Sequence, residues 1–227
     1  FESELLEKHG VNYTYVGHPL AKDLPTEINK EDLKKDFDFS LEKKIIAILP
    51  GSRKSEIVYH DKALVEFIKF YKEENPDTLI VLALNKESDL QGGLKEISKE
   101  IEVVFANTQN VLAACDLAIV ASGTATLEAA ILSKPMVVIY KSNFFSNFIL
   151  SNFFLKTKFI SLPNILSQEK IVFELRQNQV TGREIYKKKI ITLRNKKDIS
   201  DKLNSLRKSL LVQDPSKFSR AIQEILS

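Results

Sequence analysis

The chain has 227 residues, 44% of them hydrophobic and 28% charged, and its 33 basic and 30 acidic residues leave a net charge of only +3. These proportions are typical of globular proteins and exclude disorder, collagen-like repeats and a simple coiled coil, while the charge gives no indication of a nucleic-acid partner. Because Cys115 is the only cysteine and the three histidines have no metal-ligand spacing, we expect an intracellular protein without disulfides, metal or other cofactor.

The lead-in to the main domain occupies residues 1–40, where we predict a strand at Tyr13–Val16, a loop and a helix at Asn29–Asp38. The first residue is Phe1 and the only methionine is Met136. We therefore expect this segment to be a junction with an N-terminal domain that is missing from the chain.

Apolar runs of strand length recur between helix-like stretches, at Lys44–Leu49, Thr78–Leu84, Glu102–Phe105, Leu117–Val120 and Met136–Tyr140. The first two runs are apolar almost throughout, which indicates parallel strands covered by helices on both faces. Apolar residues at helical spacing predict helices at Lys62–Tyr71, Asn107–Cys115 and Thr124–Leu132. We therefore predict an α/β domain over residues 41–180, with a Rossmann-like parallel sheet and helices on both of its faces.

Residues 181–227 are predicted to form a helical C-terminal tail. Thr181 with Glu184 makes a capping box, and Asp214-Pro215 places an N-cap before a proline. We expect these helices to pack on the domain or on the missing half. The lysine stretches 187–189 and 196–197 fit either a basic patch or, as we prefer, the solvated faces of helices.

A glycine-containing turn follows the first apolar run, in the sequence Leu49-Pro50-Gly51-Ser52-Arg53. Gly51 lets the backbone approach a ligand, and the helix start after it offers N–H groups to an anion. Arg53 adds a planar, permanently charged group suited to phosphate oxygens. An ordinary turn with a surface arginine explains the same residues, and a Walker A loop is excluded because its lysine and hydroxyl positions are absent.

A second turn of small residues, Ser122-Gly123-Thr124, follows the fourth apolar run and precedes a helix. Three consecutive N–H groups at a helix start can hold a diphosphate, and Glu128, one turn into the helix, can accept hydrogen bonds from a ribose diol. A capped, close-packed helix with a solvated Glu128 is the alternative. Both turns follow predicted parallel strands, and such sheets bind ligands at the carboxyl ends of their strands.

Five phenylalanines lie within eleven residues, at Phe144, Phe145, Phe148, Phe153 and Phe154. Serines and asparagines interrupt this segment too often for a membrane-spanning helix, and no run of 18 apolar residues exists anywhere in the chain. An aromatic amphipathic segment of this kind can lie in a bilayer interface or contact acyl chains. It fits a core or interdomain helix equally well.

Five motifs along the chain match the pattern of a known family. They are Val16–Leu20, Leu49–Ile57, Ala121–Glu128, Pro135–Lys141 and Leu162–Leu166. In order and spacing they resemble the C-terminal half of lipid-A-disaccharide synthases, over Phe1–Gln177. The resemblance implies the C-terminal, donor-binding domain of a two-domain B-type glycosyltransferase. Such an enzyme transfers 2,3-diacylglucosamine from its UDP donor to 2,3-diacylglucosamine 1-phosphate with inversion, at the cytoplasmic face of the inner membrane, and its general base belongs to the N-terminal domain.

The resemblance also implies site residues. Arg53 would contact the donor diphosphate and offset the charge that develops on the departing UDP, and Glu128 would hold the ribose. The other implied donor-binding residues are Gly51, Ser52, Glu56, Ser122, Gly123, Thr124, Thr126, Lys141, Asn164 and Gln177. The residue before Glu174 is Phe173, where the family pattern has proline. Asn164, after a proline, fits either a ligand contact or a local backbone contact.

Two other interpretations stay open from the sequence. One is another UDP-sugar enzyme of the same fold, such as a peptidoglycan glucosaminyltransferase or a UDP-GlcNAc epimerase. The other is a non-catalytic, membrane-associated binding module that docks a partner through the phenylalanine-rich segment. Two nucleotide-type turns are unnecessary for such a module, and we therefore rank it last.

Overall fold

The computed structural model describes residues 9–10, 17–24, 29–142 and 158–211. The predicted strand at Tyr13–Val16, the predicted cap at Asp214-Pro215 and the phenylalanine-rich segment Phe144–Phe154 lie outside the described residues. Within the described part of the chain, no helix has both the length and the apolar character needed to cross a bilayer.

Six parallel strands form one sheet in the order β3-β2-β1-β4-β5-β6. They are β1 Ile45–Leu49, β2 Leu79–Leu84, β3 Glu102–Phe105, β4 Leu117–Ala121, β5 Met136–Tyr140 and β6 Phe173–Arg176. The order changes direction between β1 and β4, as in doubly wound dinucleotide-binding sheets. The predicted Rossmann-like parallel sheet is confirmed, and the first five strands begin and end within one residue of their predicted bounds, while β6 was not predicted.

Helices connect the strands. Those of the described residues are α1 Pro19–Asp23, α2 Lys30–Asp36, α3 Lys54–Glu74, α4 Gly92–Ile97, α5 Thr108–Ala114, α6 Thr124–Ile131, α7 Leu162–Ser167, α8 Gly182–Arg194 and α9 Lys196–Leu210. Short 3-10 turns lie at Glu87–Asp89, Ser98–Glu100 and Gln177–Gln179. Helix α3 begins at Lys54, eight residues before its predicted start, because Ile57 and His60 continue its buried face toward β1.

The hydrophobic core has two layers, one on each face of the sheet. Alternate residues of a strand point to opposite faces, and in β1 Ala47 packs into the layer that contains α5 and α6. Its neighbour Ile48 packs into the layer that contains α3 and α8. Both residues are fully buried. Helices therefore cover both faces, which explains why the central strands are apolar throughout.

The described part of the C-terminal tail packs on the sheet domain. Ile185 of α8 lies in the layer with α3, and Leu203 of α9 lies in the layer with α6. The buried Arg207 of α9 donates from its guanidinium to the carbonyl of Ile131 at 3.2 Å and to that of Leu24 at 3.1 Å. The last helix thereby connects the ends of α1 and α6.

Lys189 corrects the interpretation of the lysine stretch as a solvated face. It is only 4% exposed, and its ammonium lies 4.2 Å from the ring centroid of Tyr71 and 4.5 Å from that of Tyr186. Burial lowers the pKa of Lys189, and the two aromatic faces replace part of the lost hydration. Lys187 and Lys196 are exposed, as expected for the outer faces of α8 and α9.

Candidate functional site

Two turns meet at the carboxyl edge of the sheet. Strands β1 and β4 are hydrogen-bonded neighbours with Leu49 paired to Val120, so the segment after each strand emerges beside the other. We call Pro50–Arg53 the β1 turn and Ser122–Thr124 the β4 turn. They lie at the position where the strand order reverses, which is where open parallel sheets bind nucleotides.

A cavity of about 310 Å³ lies between the two turns. Its walls include many of the residues that the sequence predicts for donor binding: Gly51, Ser52, Arg53, Glu56, Ser122, Gly123, Thr124 and Glu128. This volume is at the lower end of the range for small-ligand pockets. The structure thus brings together residues that lie about seventy positions apart in the sequence.

Two amides of the β1 turn, those of Ser52 and Arg53, are already bonded within the protein. Glu56, in the first turn of α3, accepts through Oε2 from the N–H groups of Ser52 at 3.0 Å and Arg53 at 3.4 Å. Its Oε1 accepts from the guanidinium of Arg53 at 2.8 Å. Gly51 has φ +135°, and a Cβ at this position would lie 2.7 Å from the Cβ of Glu56. Only glycine therefore allows the turn to wrap this closely around the carboxylate.

Arg53 is the part of the β1 turn that remains available to a ligand. Its side chain is 78% exposed and lines the cavity. An exposed ion pair such as that with Glu56 contributes little free energy, about 0.2–1 kcal/mol, because water competes for both groups. The guanidinium can therefore exchange this carboxylate for the oxygens of a bound phosphate.

The β4 turn presents its backbone differently. Helix α6 begins at Thr124, and the first N–H groups of a helix have no intrahelical acceptor. Gly123 has φ +155°, a value that L-residues rarely adopt. The N–H of Ser122 donates to the carbonyl of Ile139 at 2.9 Å, and its hydroxyl donates to that of Ile160 at 2.8 Å. Of the three predicted anion-binding amides, Ser122 is therefore engaged in the fold, and those of Gly123 and Thr124 face the cavity end of the helix.

Glu128 lies one helical turn after the β4 turn and lines the same cavity. Its Oε1 accepts a hydrogen bond of 2.9 Å from the side-chain amide of Gln109 in α5. This contact orients the carboxylate from a second element. A carboxylate held in this way can accept from a pair of hydroxyl groups, as a ribose presents them.

Several residues near the cavity escaped the sequence analysis. Asn85 follows β2 and Thr108 begins the helix after β3, and both line the cavity. Gln109 follows Thr108 and supports Glu128. Since all strands are parallel, the residues after β2 and β3 emerge at the same edge as the two turns. Their positions after apolar runs were therefore a usable signal.

Thr126 and Asn164, two of the predicted donor contacts, are not among the described residues that line the cavity. Both are completely buried. The hydroxyl of Thr126 donates to the carbonyl of Gly123 at 2.7 Å and accepts from the N–H of Leu162 at 3.4 Å, which supports the β4 turn from below.

The side chain of Asn164 forms four hydrogen bonds with residues that follow it in the chain. Its amide donates to the carbonyl of Val172 and to Glu174, and its oxygen accepts from the N–H groups of Ile171 and Val172, all between 2.8 and 3.0 Å. A primary amide makes two donations and accepts two bonds. The structure therefore shows the local backbone contact for this side chain, and its contact with the donor stays a prediction.

Glu174, on β6, organises the segment behind the β4 turn. Its nearly buried carboxylate accepts from the N–H groups of Ile160 and Ser161 and from the guanidinium of Arg176. Burial alone would raise the pKa of Glu174, but the hydrogen bonds from Arg176 and Ser161 outweigh it and hold the pKa below its ordinary value. The carbonyl of Ile160 in turn accepts a hydrogen bond from the hydroxyl of Ser122. The ionised carboxylate of Glu174 therefore supports the β4 turn indirectly, through Ile160.

Lys141 and Gln177 follow the carboxyl ends of β5 and β6, at the same edge of the sheet. The N–H of Lys141 donates to Nε2 of His60 at 3.1 Å. The side-chain oxygen of Gln177 accepts from the N–H of Ser142 at 3.3 Å. The described walls of the cavity do not include either residue, so their donor contacts stay predictions.

No cluster of metal-ligating side chains occurs among the residues that the structure describes. Cys115 is buried, and this burial raises its pKa to about 11, so its thiol stays protonated at neutral pH.

Comparison with known proteins agrees with the sequence motifs. A family model described as lipid-A-disaccharide synthetase matches residues 1–225. The lipid-A-disaccharide synthase of Colwellia psychrerythraea is 33% identical over an alignment that covers 100% of this chain and 59% of that protein. The chain spans about three fifths of the length of the curated relatives it matches over its whole extent.

Solved structures share the fold at low sequence identity. UDP-GlcNAc 2-epimerase from Neisseria meningitidis, bound to UDP-GlcNAc, has a TM-score of 0.60 at 12% identity, over 99% of this chain and 57% of that one. The C-terminal domain of a group 1 glycosyl transferase from Francisella tularensis has a TM-score of 0.57 at 13% identity, over 83% of this chain and 96% of that one. The predicted fold of a glycosyltransferase C-terminal domain is confirmed. With a family model matched over nearly its whole length, the chain belongs to the lipid-A-disaccharide synthase family.

Proposed function

We propose that this chain is the donor-binding part of a lipid A glycosyltransferase. It binds the UDP part of UDP-2,3-diacylglucosamine, and the complete enzyme transfers the diacylglucosamine to 2,3-diacylglucosamine 1-phosphate with inversion and releases UDP. The observation that carries this proposal is the cavity at the β1–β4 switch point, where Arg53, the start of α6 and Glu128 face one space. Family membership supports the choice of substrates.

The β4 turn suits the diphosphate. The N–H groups of Gly123 and Thr124 stand at the positive end of α6, where an anion gains from both hydrogen bonds and the helix dipole. Glu128 then holds the ribose hydroxyls one helical turn further on. A cavity of about 310 Å³ accommodates a nucleotide but not two acyl chains as well, so the lipid part of the donor would lie outside it.

Arg53 is the proposed catalytic residue of this part of the enzyme. As the glycosidic bond of the donor breaks, negative charge develops on the departing UDP. A guanidinium beside that diphosphate stabilises the charge without a metal ion, provided it is in place before the reaction. Its exposed position and weak pairing with Glu56 allow it to reach the diphosphate when the donor binds.

The remaining parts of the reaction belong, in this proposal, to residues beyond this chain. The general base and acceptor site would come from the portion of the relatives that the chain does not span. We divide the chain into a junction at 1–40, a UDP-sugar-binding domain at 41–180 and helices at 181–227. The phenylalanine-rich segment would contact acyl chains or the cytoplasmic face of the inner membrane, making the enzyme a peripheral membrane protein.

Calorimetric titration with UDP tests the nucleotide site. We expect saturable binding by the wild-type protein and weaker binding by the Arg53→Ala and Glu128→Ala variants. No saturable binding, or identical binding by all three proteins, would show that the site is assigned wrongly. A separate assay, on the complete enzyme, compares turnover of UDP-2,3-diacylglucosamine with that of UDP-GlcNAc: turnover of the unacylated sugar alone would favour an epimerase or another UDP-sugar enzyme.

Liposome sedimentation tests the membrane contact separately. Vesicles containing anionic lipid should pull down the wild-type protein more efficiently than a variant with Phe148→Ser and Phe153→Ser. Unchanged sedimentation would refute this use of the segment and would leave the nucleotide site unaffected.

A further inference from the structure

A buried histidine connects the β1 turn to the end of β5. His60, on α3, is 1% exposed. Its Nδ1 lies 2.7 Å from the carbonyl oxygen of Pro50, and its Nε2 lies 3.1 Å from the backbone nitrogen of Lys141. A carbonyl can only accept and a backbone amide can only donate. These partners therefore require a neutral ring that carries its proton on Nδ1.

The ring spans the width of one strand. Strand β4 lies between β1 and β5 in the sheet, so the backbones after β1 and β5 do not bond to each other directly. His60 provides that connection through its two nitrogens. A side chain that uses both ring nitrogens in this way sets the distance between Pro50 and Lys141.

Helix α3 holds the β1 turn at two points. Glu56 and His60 are four residues apart and therefore lie on the same face of the helix. Glu56 accepts from the N–H groups of Ser52 and Arg53, while His60 donates to the carbonyl of Pro50. A donor phosphate that draws Arg53 away from Glu56 ends their ion pair, whereas His60 is buried beneath the turn. The bond from His60 to Pro50 therefore remains when the donor binds.

We propose that His60 is a positioning residue for donor binding, which holds the β1 turn, and with it Arg53, at a set distance from the segment that begins at Lys141. This inference rests on the proposed UDP site and adds a residue to it that touches no ligand. Its function requires both bonds, a donor toward Pro50 and an acceptor toward Lys141. A residue that only filled space would not have this requirement.

The charged surroundings of His60 agree with a neutral ring. Burial lowers its pKa, and the positive charge of Lys141 acts in the same direction, while the hydrogen bond to Pro50 and the negative charge of Glu56 act against it. Protonation would place a second N–H against the N–H of Lys141. The connection to β5 would then be lost.

Three substitutions of His60 separate its two bonds from its volume. In His60→Asn the side-chain amide falls near the position of Nδ1, so its NH2 group can keep the bond to Pro50. In His60→Gln the side-chain oxygen falls near Nε2 and can keep the bond to Lys141. His60→Leu keeps the apolar volume and neither bond. Tyr71→Phe is the matched control, because it removes a buried-face hydrogen bond of the same helix, to Thr78, at the opposite edge of the sheet.

UDP titration of the folded variants gives the first measurement. We expect UDP affinity to fall about tenfold in His60→Leu, which loses both buried hydrogen bonds of the ring. It should fall about threefold in His60→Asn and His60→Gln, which lose one bond each. Tyr71→Phe should bind UDP as the wild type does. Amide hydrogen exchange gives the second measurement: exchange at Lys141 should accelerate in the Asn and Leu variants but not in the Gln variant.

The outcomes distinguish this inference from the proposed function. If His60→Leu binds UDP as tightly as the wild type but loses thermal stability, His60 is only a packing residue. This result would overturn the inference and leave the proposed UDP site unaffected. If His60→Leu does not fold, equal affinity of the Asn and Gln variants and the wild type has the same meaning. Absence of UDP binding by the wild type would overturn the proposed function and this inference with it.

Discussion

The β1 turn and the β4 turn resemble each other in sequence but differ in how they use their backbone. In each, an apolar strand ends in a turn that joins glycine and serine and leads into a helix. In the β1 turn, Glu56 accepts from the two amides after Gly51. In the β4 turn, the short side chain of Thr126 donates to the carbonyl of Gly123, and the described residues provide no acceptor for the amides of Gly123 and Thr124. The carboxylate of Glu56 thus takes the place of an anion at the β1 turn. The hydroxyl of Thr126 bonds to a carbonyl and leaves such a place free at the β4 turn.

In the proposed donor site, this difference gives the two turns distinct tasks. The β1 turn contributes a charged side chain, because Arg53 is exposed and its backbone is engaged. The β4 turn contributes backbone N–H groups, because Thr124 begins α6. An exposed guanidinium can move toward the oxygens on which negative charge develops. The amides at a helix start are fixed and hold a phosphate in one place.

Removal of the Arg53 side chain should have the largest effect on UDP affinity. Charge-assisted hydrogen bonds contribute about 1.5–3 kcal/mol, so Arg53→Ala should weaken UDP binding by about 10- to 100-fold at moderate ionic strength. Lys54→Ala is the control, because Lys54 is the exposed neighbour outside the cavity walls. Calorimetry at several salt concentrations measures both. An equal loss in the two variants would mean that Arg53 contributes only general positive charge.

The support of the β4 turn should be sensitive to Glu174. Glu174→Gln replaces one acceptor oxygen by a donor that faces either the donors of Ser161 or that of Arg176, and we expect it to lower the free energy of unfolding by about 2 kcal/mol. Urea denaturation measures this loss. The Arg53–Glu56 contact belongs to the other turn, so Glu56→Gln should not reproduce it.

The effect of Glu174 should also depend on pH. Its pKa in the folded protein lies below the ordinary value of 4.5. The folded state therefore binds fewer protons than the unfolded state as the pH falls through this region. The stabilisation is complete above about pH 5.5 and is lost as the pH falls below 4.5 toward the folded-state pKa. Denaturation curves of wild type and Glu174→Gln should converge at low pH, and a constant difference would contradict this assignment.

Glu128 should affect the nucleoside and not the phosphates. Loss of hydrogen bonds between a carboxylate and a ribose diol should weaken UDP binding by about tenfold in Glu128→Ala. Binding of 2′,3′-dideoxy-UDP should be equally weak in wild type and variant. Gln109→Ala serves as the control, because it removes only the group that orients Glu128. If the variant still discriminates the two nucleotides as the wild type does, Glu128 does not hold the ribose.

The smallest effect should come from the charge on Glu56. Glu56→Gln retains an oxygen for the amides of Ser52 and Arg53 but no longer attracts the guanidinium. Because an exposed ion pair is worth less than about 1 kcal/mol, UDP affinity should rise by about threefold, in the direction opposite to Arg53→Ala. A fall in affinity would indicate that Glu56 positions Arg53 for the ligand and does not compete with it.

Much of the fold could be predicted because its signals are local. The central strands are buried on both faces, so their sequences are apolar without interruption. Strand β6 lacked this signal: two of its four residues, Glu174 and Arg176, are charged, and they pair with each other and with the loop at Ile160. The buried position of Lys189 depends on Tyr71, more than a hundred residues away, and no local pattern indicates it.

The site could be predicted to the level of its turns but not of their hydrogen bonds. Strand, glycine and helix start are adjacent in the chain, so both turns were recognisable. Whether an amide is open depends on partners elsewhere: Ile139 and Ile160 engage Ser122, and Val172 with Glu174 engages Asn164. Only the folded chain brings these partners together, which is why the hydrogen bonds of Ser122, Thr126 and Asn164 could not be predicted from the sequence.

A crystal structure of the UDP complex tests the central claim most directly. The account predicts that the diphosphate accepts hydrogen bonds from the N–H groups of Gly123 and Thr124, that Arg53 has left Glu56 for a phosphate oxygen, and that Glu128 contacts the ribose. A diphosphate bound at the amides of Ser52 and Arg53 in place of Glu56, with the start of α6 unoccupied, would contradict it.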